Sequence, residues 1–322
     1  MPINLAEWVA NATTKRAEAQ KHLEEQLRAG RKLYADEQGQ PTLKPSFITY
    51  LDELGTSARL PHMTDADLRA DIEAYDRLRS FLHDDYHGSD SDFQRVLYFT
   101  DNVVIAHPID FEIPLADHGL FLKIASAADY QLHIALTGRL LRGAICQGDA
   151  YADHSFVSGP ALLQAVKMEE EDAVNPRIIL DDNSIALALW EMHNWGHPHS
   201  NSEYKTALLV DQDGQVFVNY LNAADQDELD VPGSTERRLI KHKAVVELGL
   251  SNYSNTRVGT KYRWLAAYHN YVCEDIYRLP LHVIHNIPTV KFKKFTIDII
   301  KNYEDHHDPF SSIDPFPILK GV

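Results

Sequence analysis

The sequence predicts an α+β protein, a ferredoxin-like α/β sandwich with helical extensions at its N- and C-terminal ends. Three observations predict it. Short β-branched and aromatic runs alternate with longer stretches of helical periodicity. One pair of runs, separated by Thr100-Asp101-Asn102, reads as a hairpin. The resulting order, β-α-β-β-α-β-α-β, puts single helices between strands that belong to one sheet. Domain boundaries follow from this order: an N-terminal helical extension over 1–44, a sandwich domain over 45–182, and a hairpin and helical extension over 183–322.

Residues 12–39 read as one charged helix, with Gly30 near its end and Pro41 and Pro45 beyond it. Ser46 to Leu51 is β-branched and aromatic, which suits a strand. It leads through Asp52-Glu53-Leu54 into Gly55-Thr56-Ser57, a small-residue turn that can start a helix. Residues 64–85 open with a Thr/Asp cap and carry apolar residues at helical spacing. The hairpin covers Gln94 to Ile105. A long helix follows over 113–138, a strand from Leu141 to Cys146, and a helix over 160–173 with Gly159 and Pro160 at its start. Pro176 precedes a strand from Arg177 to Leu180. Beyond residue 183 the assigned elements are a hairpin around Asp213-Gly214 and helices over roughly 235–250 and 256–278. The last fifteen residues, with three prolines, read as an irregular tail.

Composition bounds the function. The 322 residues suffice for one large core or two modest ones. A balance of 31 basic against 47 acidic residues gives a net charge of −16, which disfavours nucleic acid or anionic membrane as the main partner. No run is long and apolar enough for a membrane span, and the N-terminus lacks the pattern of a secretory signal. Two cysteines make neither a disulfide framework nor a four-cysteine zinc site, so cytoplasm is the expected compartment. His193, His197 and His199 lie within seven residues, but no second cluster accompanies them and the Gly/Pro context reads as a loop. Glu304 to Asp308 reads as solvated tail, and Cys146 as an inert core thiol.

Two aspartates carry the chemistry. Asp52 and Asp101 each end a strand run, a place where a lone Asp is ordinarily a turn or cap residue. Asp52, however, is followed at once by Gly55-Thr56-Ser57, whose amides and helix dipole suit an anion. Asp101 sits on a hairpin tip that can lie beside it. Two carboxylates next to an anion cradle form a site for Mg²⁺ or Mn²⁺ carrying phosphate oxygens. Tyr50 shares a strand face with Asp52 and either narrows the pocket beside it or simply fills core.

These residues resemble a known family. Phe47 to Ser57 (FITYLDELGTS) is similar to the first metal motif of class III nucleotide cyclases, and Phe99-Thr100-Asp101 to the second metal aspartate. Leu141 to Gly148 (LRGAICQG) and Gly159 to Arg177 resemble the strand and helix that follow. The wording is closest to the bacterial pyrimidine cyclases of the Pycsar antiphage systems, and Lys261 to Asn270 resembles that branch as well.

The resemblance implies closure of a ribonucleoside triphosphate to a 3′,5′-cyclic monophosphate and pyrophosphate. Two Mn²⁺ or Mg²⁺ ions would be held by Asp52, Asp101 and the backbone carbonyl of Glu53. Amides of Leu54, Gly55, Thr56 and Ser57 would cradle phosphates. Phe47, Tyr50 and Leu97 would line the substrate pocket. Lys167 and Arg142 are the candidates for the basic group that stabilises the transferring phosphate. Leu97 and Phe156 stand where adenylate cyclases place Lys and Asp, and Leu163 and Lys167 where the family places Asn and Arg. The resemblance to that branch implies UTP as the first substrate and CTP as the runner-up, with a homodimer that shares its sites and a product read by a separate cyclic-nucleotide-binding effector. The rivals are a non-catalytic nucleotide sensor that keeps the fold and, less well matched, a metal-dependent phosphodiesterase or nuclease.

Overall fold

The computed structural model describes residues 32–84, 94–109, 119–195, 204–225, 233–287 and 290–296. Most of the helix expected over 12–39 lies outside them, as do residues 113–118 of the next long helix, the histidines at 197 and 199, and the C-terminal tail. Residues 32–39 are not helical in the expected way: Lys32–Tyr34 form a single 3₁₀ turn, and Ala35 bridges to Pro41.

Strand β1 (Lys44–Leu54) is central. It pairs antiparallel with β3 (Asn102–Pro108) on one side and β4 (Leu140–Ala152) on the other, and β2 (Arg95–Phe99) forms the hairpin edge on β3. With α2 (Asp65–Asp84) between β1 and β2, and α3 (Leu120–Leu136) between β3 and β4, the order β2-β3-β1-β4 is the expected ferredoxin-like arrangement. Residues 46–49 of β1 are all buried because helices cover both faces of the sheet there.

The sheet continues past the sandwich. β4 carries the short return strand β5 (Val157–Ser158) and then α4 (Pro160–Glu171), which leads to β6 (Ile178–Leu180), parallel to β4. Helix α5 (Asp182–Trp195), to which the sequence reading assigned nothing, and the short α6 (Tyr204–Ala207) then lead to β7 (Leu208–Val210) and β8 (Val216–Val218). β8 pairs with β6 through Ile179 and Phe217, and β7 pairs with β9 (Lys293–Lys294). The described residues thus form one nine-stranded, mostly antiparallel sheet that runs across position 182.

Strand alternation sorts the faces. Phe47, Thr49, Leu51 and Glu53 point to the side of α2 and α3, where Tyr75 of α2 packs on Tyr98 with ring centroids 5.1 Å apart. Ile48, Tyr50 and Asp52 point to the opposite side, under α4. Tyr50, Ala144, Ile179 and Phe217 lie in one row across the strands of that side. Phe217 meets Trp264 and Tyr268 of α8 (Arg257–Tyr271), so α8 lies on the same face as α4. The helix expected over 256–278 ends its regular turns at Tyr271 and continues as one π turn over Val272–Ile276.

Helix α7 (Ser234–Asn252) is joined to α8 by a buried polar chain. His269 Nε2 faces the carbonyl of His282 at 3.1 Å, and a carbonyl only accepts, so Nε2 carries the proton. His269 Nδ1 is then the acceptor for His242 Nδ1 at 3.1 Å, and His242 Nε2 accepts from the Tyr220 hydroxyl at 2.7 Å. Every link is satisfied only while both imidazoles are neutral. Burial, aided by the neighbouring Lys243 and His282 and opposed by the His282 carbonyl, lowers His269 to about 4, and burial, with the neighbouring His269, holds His242 well below the usual histidine range. Cys273 Sγ lies 3.5 Å from His269 Nε2, and burial raises that thiol to about 12. A histidine that titrates near 6.5 when unfolded and about 4 when folded holds its proton only in the unfolded chain between those values. Its contribution to stability is therefore complete above about pH 6.5 and lost as pH falls toward 4. The melting temperature should fall across that window, and the slope should flatten in His269→Gln. Equal slopes in the two proteins would show that other groups set the acid limit.

Candidate functional site

The site forms where β1 ends. Asp52 lies between Arg142 of β4 and Asn102 of β3 in one cross-strand row, all on the α4 face. Glu53, the next residue, points the other way. The strand stops at Gly55, whose φ of 90° is the left-handed conformation that only glycine adopts without cost. The chain then enters α1 (Thr56–Arg59). Because α1 is four residues long, its dipole contributes less than the sequence suggested. What remains are the amides of Gly55, Thr56 and Ser57, which α1 itself cannot consume.

Asp101 is brought to this turn by the backbone. The Glu53 amide donates to the Asp101 carbonyl at 3.1 Å, and Thr100 at the hairpin tip takes a left-handed φ of 53°. Both carboxylate oxygens of Asp101 are bonded. Oδ2 accepts from the Thr56 hydroxyl, while Oδ1 accepts from the Thr100 hydroxyl at 2.7 Å and the Asn102 amide at 3.0 Å. Burial raises its pKa, but the Thr56 and Thr100 hydroxyls and its own backbone amide, with the charge of Arg59, outweigh burial, and Asp101 stays below the usual carboxylate range. The Glu53 carbonyl, 3.2 Å from Thr56 Oγ1, faces the same spot.

Asp52 is held differently. Its Oδ2 lies 3.5 Å from Arg142, and Arg142 also pairs with the buried carboxylate of Glu169 on α4. Burial raises Asp52, Arg142 opposes this, and the charge of Asp101 adds to it, so the two aspartates are close enough to repel. Burial also holds Glu169 well above the usual carboxylate range, because the attraction of Arg142 does not cancel it and Asp52 adds repulsion. Tyr50 lies in the row behind Asp52, half-buried, and donates its hydroxyl proton to Asn102 Oδ1. Burial and the nearby Asp52 push that phenol up to about 12, so it stays protonated.

Close approach of β1 and β4 underlies this geometry. A Cβ on Gly143 would lie 2.3 Å from the Tyr50 carbonyl and 2.8 Å from Leu51 Cδ2, so only glycine fits beside Arg142.

Most residues proposed from the sequence meet here. Asp52, Asp101, the Glu53 carbonyl, Thr56, Gly55, Ser57, Tyr50 and Arg142 share one end of the sheet. Leu97 lies in the row of Tyr50, two strands away, and is half-buried. Leu54, half-buried, pairs with Leu140 at the strand end. Phe47 is the exception. It is buried on the α2/α3 face, opposite Tyr50 and Asp52, because an odd separation along a strand reverses the side chain. Arg142 is brought to the site, but as the partner of Asp52 and Glu169. Lys167 is on the outer side of α4 with its side chain 68% exposed, paired at 3.8 Å with Glu171, and Leu163 beside it is 72% exposed. Neither meets the aspartates within this chain.

The sequence reading gave no role to Glu169 or to Lys261. Lys261 is half-buried on α8; burial lowers its pKa, and the charge of Arg142 lowers it further, against the pull of Asp52 and Glu169. The signal for Glu169 is a carboxylate at helical spacing among alanines that face the sheet; for Lys261 it is the motif resemblance over Lys261 to Asn270, which does not place it beside Asp52 because α8 and β1 are more than 200 residues apart.

The oxygen-only donor set of Asp52, Asp101 and the Glu53 carbonyl fits a hard divalent cation. Among the described residues no group of three His, Cys, Asp or Glu side chains is arranged to hold a metal, so further ligands would come from substrate phosphates and water. No helix of the described residues is long and apolar enough to cross a membrane.

Beneath the site the side chain of Glu53 joins a charge network. Arg59 of α1 reaches Glu53 and Asp71 of α2, each at 3.1 Å, and Arg139 reaches Glu53 at 3.2 Å and also pairs with Asp71. Glu53→Gln keeps the backbone carbonyl but leaves two guanidinium groups sharing one carboxylate. It should cost about 3 kcal/mol of stability, measured by urea unfolding. Unchanged stability would show that the network is not a structural anchor.

No family model matches the chain, and no curated protein matches it. Among solved structures, two of a bacterial light-regulated adenylyl cyclase are similar to it. One shares 12% identity over 75% of this chain and 72% of the solved chain, with a TM-score of 0.39. The other shares 12% identity over 67% of this chain and 65%, just under two thirds, of the solved one, with a TM-score of 0.41. The activity and the light regulation are those of the solved proteins.

Proposed function

We propose that this chain is a metal-dependent nucleotide cyclase that converts UTP to 3′,5′-cyclic UMP and pyrophosphate. The observation that carries the reading is the convergence of Asp52, near the end of β1, and Asp101, at the tip of the neighbouring hairpin, beside the amides of Gly55, Thr56 and Ser57. The motif resemblance in the sequence supports it independently.

The residues have distinct tasks in such a reaction. Asp52 and Asp101 would hold the cations, with the Glu53 carbonyl facing the same place. Bound Mg²⁺ or Mn²⁺ would supply a lowered pKa at the ribose 3′-hydroxyl and neutralise charge on the phosphates. The Gly55 turn offers amides to the β- and γ-phosphates, and the missing Cβ leaves that approach open. Arg142 offsets part of the negative charge that gathers at Asp52 and Glu169. In-line attack of the 3′-oxygen on the α-phosphorus then depends chiefly on positioning.

Base choice rests on Tyr50 and Leu97, which share a row on the site face. Neither Leu97 nor the exposed Phe156 offers a hydrogen bond to a purine edge. A pyrimidine is therefore favoured, and the motif resemblance alone puts UTP before CTP. The exposed Lys167 supports a homodimer, in which its charge would serve the site of a second copy. The product would act as a second messenger in antiphage defence, read by a separate effector. The same exposure of Lys167 and Leu163 favours, as a second reading, a nucleotide sensor without catalysis.

Incubation of the protein with Mn²⁺ and each of four ribonucleoside triphosphates, with products identified by mass, separates these readings. Cyclic UMP should dominate, and Asp52→Ala and Asp101→Ala should abolish it. Binding without turnover would establish the sensor; preference for ATP or GTP would remove the pyrimidine assignment. Tyr50→Ala should weaken discrimination against purines by roughly 10- to 200-fold in kcat/KM. An unchanged ranking would leave Tyr50 without a part in base choice.

A further inference from the structure

We infer that Asn102 is a positioning residue for the cation at Asp101, and that Tyr50 fixes the orientation in which Asn102 does so. The inference rests on the cation site proposed above. Asp101, Asn102 and Tyr50 form a directed relay: Tyr50 donates to Asn102 Oδ1, and Asn102 Nδ2 donates to Asp101 Oδ1 at 3.0 Å. The direction follows from chemistry. An ionised carboxylate only accepts, so the amide nitrogen of Asn102 must face Asp101 and its oxygen must face Tyr50. The phenol must then donate. If the amide turned over, its oxygen would face the carboxylate and its NH₂ would face a hydroxyl.

The backbone builds the relay into the sheet. Asn102 is the Cα partner of Asp52 across the β1–β3 pair, and Tyr50 is two residues before Asp52 on the same face. One side chain therefore links the strand that carries Asp52 to the hairpin tip that carries Asp101. The other side-chain donors to Asp101 are hydroxyls, Thr56 on Oδ2 and Thr100 on Oδ1, beside its own backbone amide. Hydroxyls rotate about a single bond, whereas the amide plane of Asn102 is locked at both ends. Asn102 thus sets the plane of the Asp101 carboxylate, and with it the direction of the lone pairs left for a cation. The relay also links the residue expected beside the base to the residue that holds metal.

The test is Mn²⁺ binding to the full chain without nucleotide, followed by the electron paramagnetic resonance signal of free Mn²⁺. Asn102→Ala should weaken binding about tenfold, the scale seen when a partner that orients a metal ligand is removed. Tyr50→Phe, which removes only the hydroxyl, should weaken it in the same direction by less. The double variant should bind no more weakly than Asn102→Ala alone, because Tyr50 acts through Asn102. Should Asn102→Ala fail to fold, the isosteric Tyr50→Phe carries the test. Wild-type affinity in folded Asn102→Ala or in Tyr50→Phe, or additive losses in the double variant, would overturn the relay while leaving the cation site standing. Absence of Mn²⁺ binding in the wild type would instead overturn the cation site, and the relay with it.

Discussion

The structure depends on one buried charge network, in which Glu53 and Asp71 are matched by Arg59 and Arg139. Four elements meet there: the last residues of β1, the turn into α1, the second turn of α2 and the approach to β4. Glu53 and Asp71 are almost fully buried, so each carboxylate would be costly without its guanidinium partners. Two carboxylates and two guanidinium groups balance in charge. Burial raises the Glu53 carboxyl, and Arg139 and Arg59 only partly offset this, so the network is held by mutual need. Because Arg59 is the last residue of α1, this pairing also fixes the turn at Gly55 against the sheet.

The alternation of a strand turns that anchor into a site. Asp52 and Glu53 are consecutive carboxylates on β1, yet they serve opposite faces. Glu53 is used for cohesion beneath the sheet; Asp52 is presented on the α4 face with Arg142 and Glu169. Asp101 arrives from the hairpin through a backbone bond to the Glu53 amide, so the same residue that anchors the underside also sets the spacing of the two aspartates. The two carboxylates then differ in character. Asp101 is surrounded by neutral donors and lies low in pKa, whereas Asp52 is raised by burial and answered by a charged partner.

Much of this was legible in the sequence because it depends on local patterns. The β-branched run before Asp52, the Gly55-Thr56-Ser57 turn, the hairpin tip at Asp101 and the Gly-led helix at Gly159 each follow from spacing and residue type, and the sheet order agrees with them. Helix α5 escaped because Ile185 to Leu189 alternates apolar residues with alanine, a pattern that fits a strand as well as a buried helix. The pairing of β8 with β6 escaped because long-range strand partners leave no local signature. Phe47 was grouped with Tyr50 and Asp52 by motif, although the period of two separates them.

The sequence by itself determined the strands and helices of the sandwich and the small-residue turn after Asp52, since propensity, turn chemistry and periodicity are properties of neighbouring residues. Only the tertiary structure decided which groups those aspartates meet. Glu169 and Lys261 approach Asp52 from helices more than 100 and 200 residues away, Asn102 is held between Tyr50 and Asp101 by strand register, and Lys167 turns outward on α4. The physical reason is that local conformation is set by nearest neighbours, whereas burial, desolvation and charge pairing are set by contacts that exist only once the sheet has assembled.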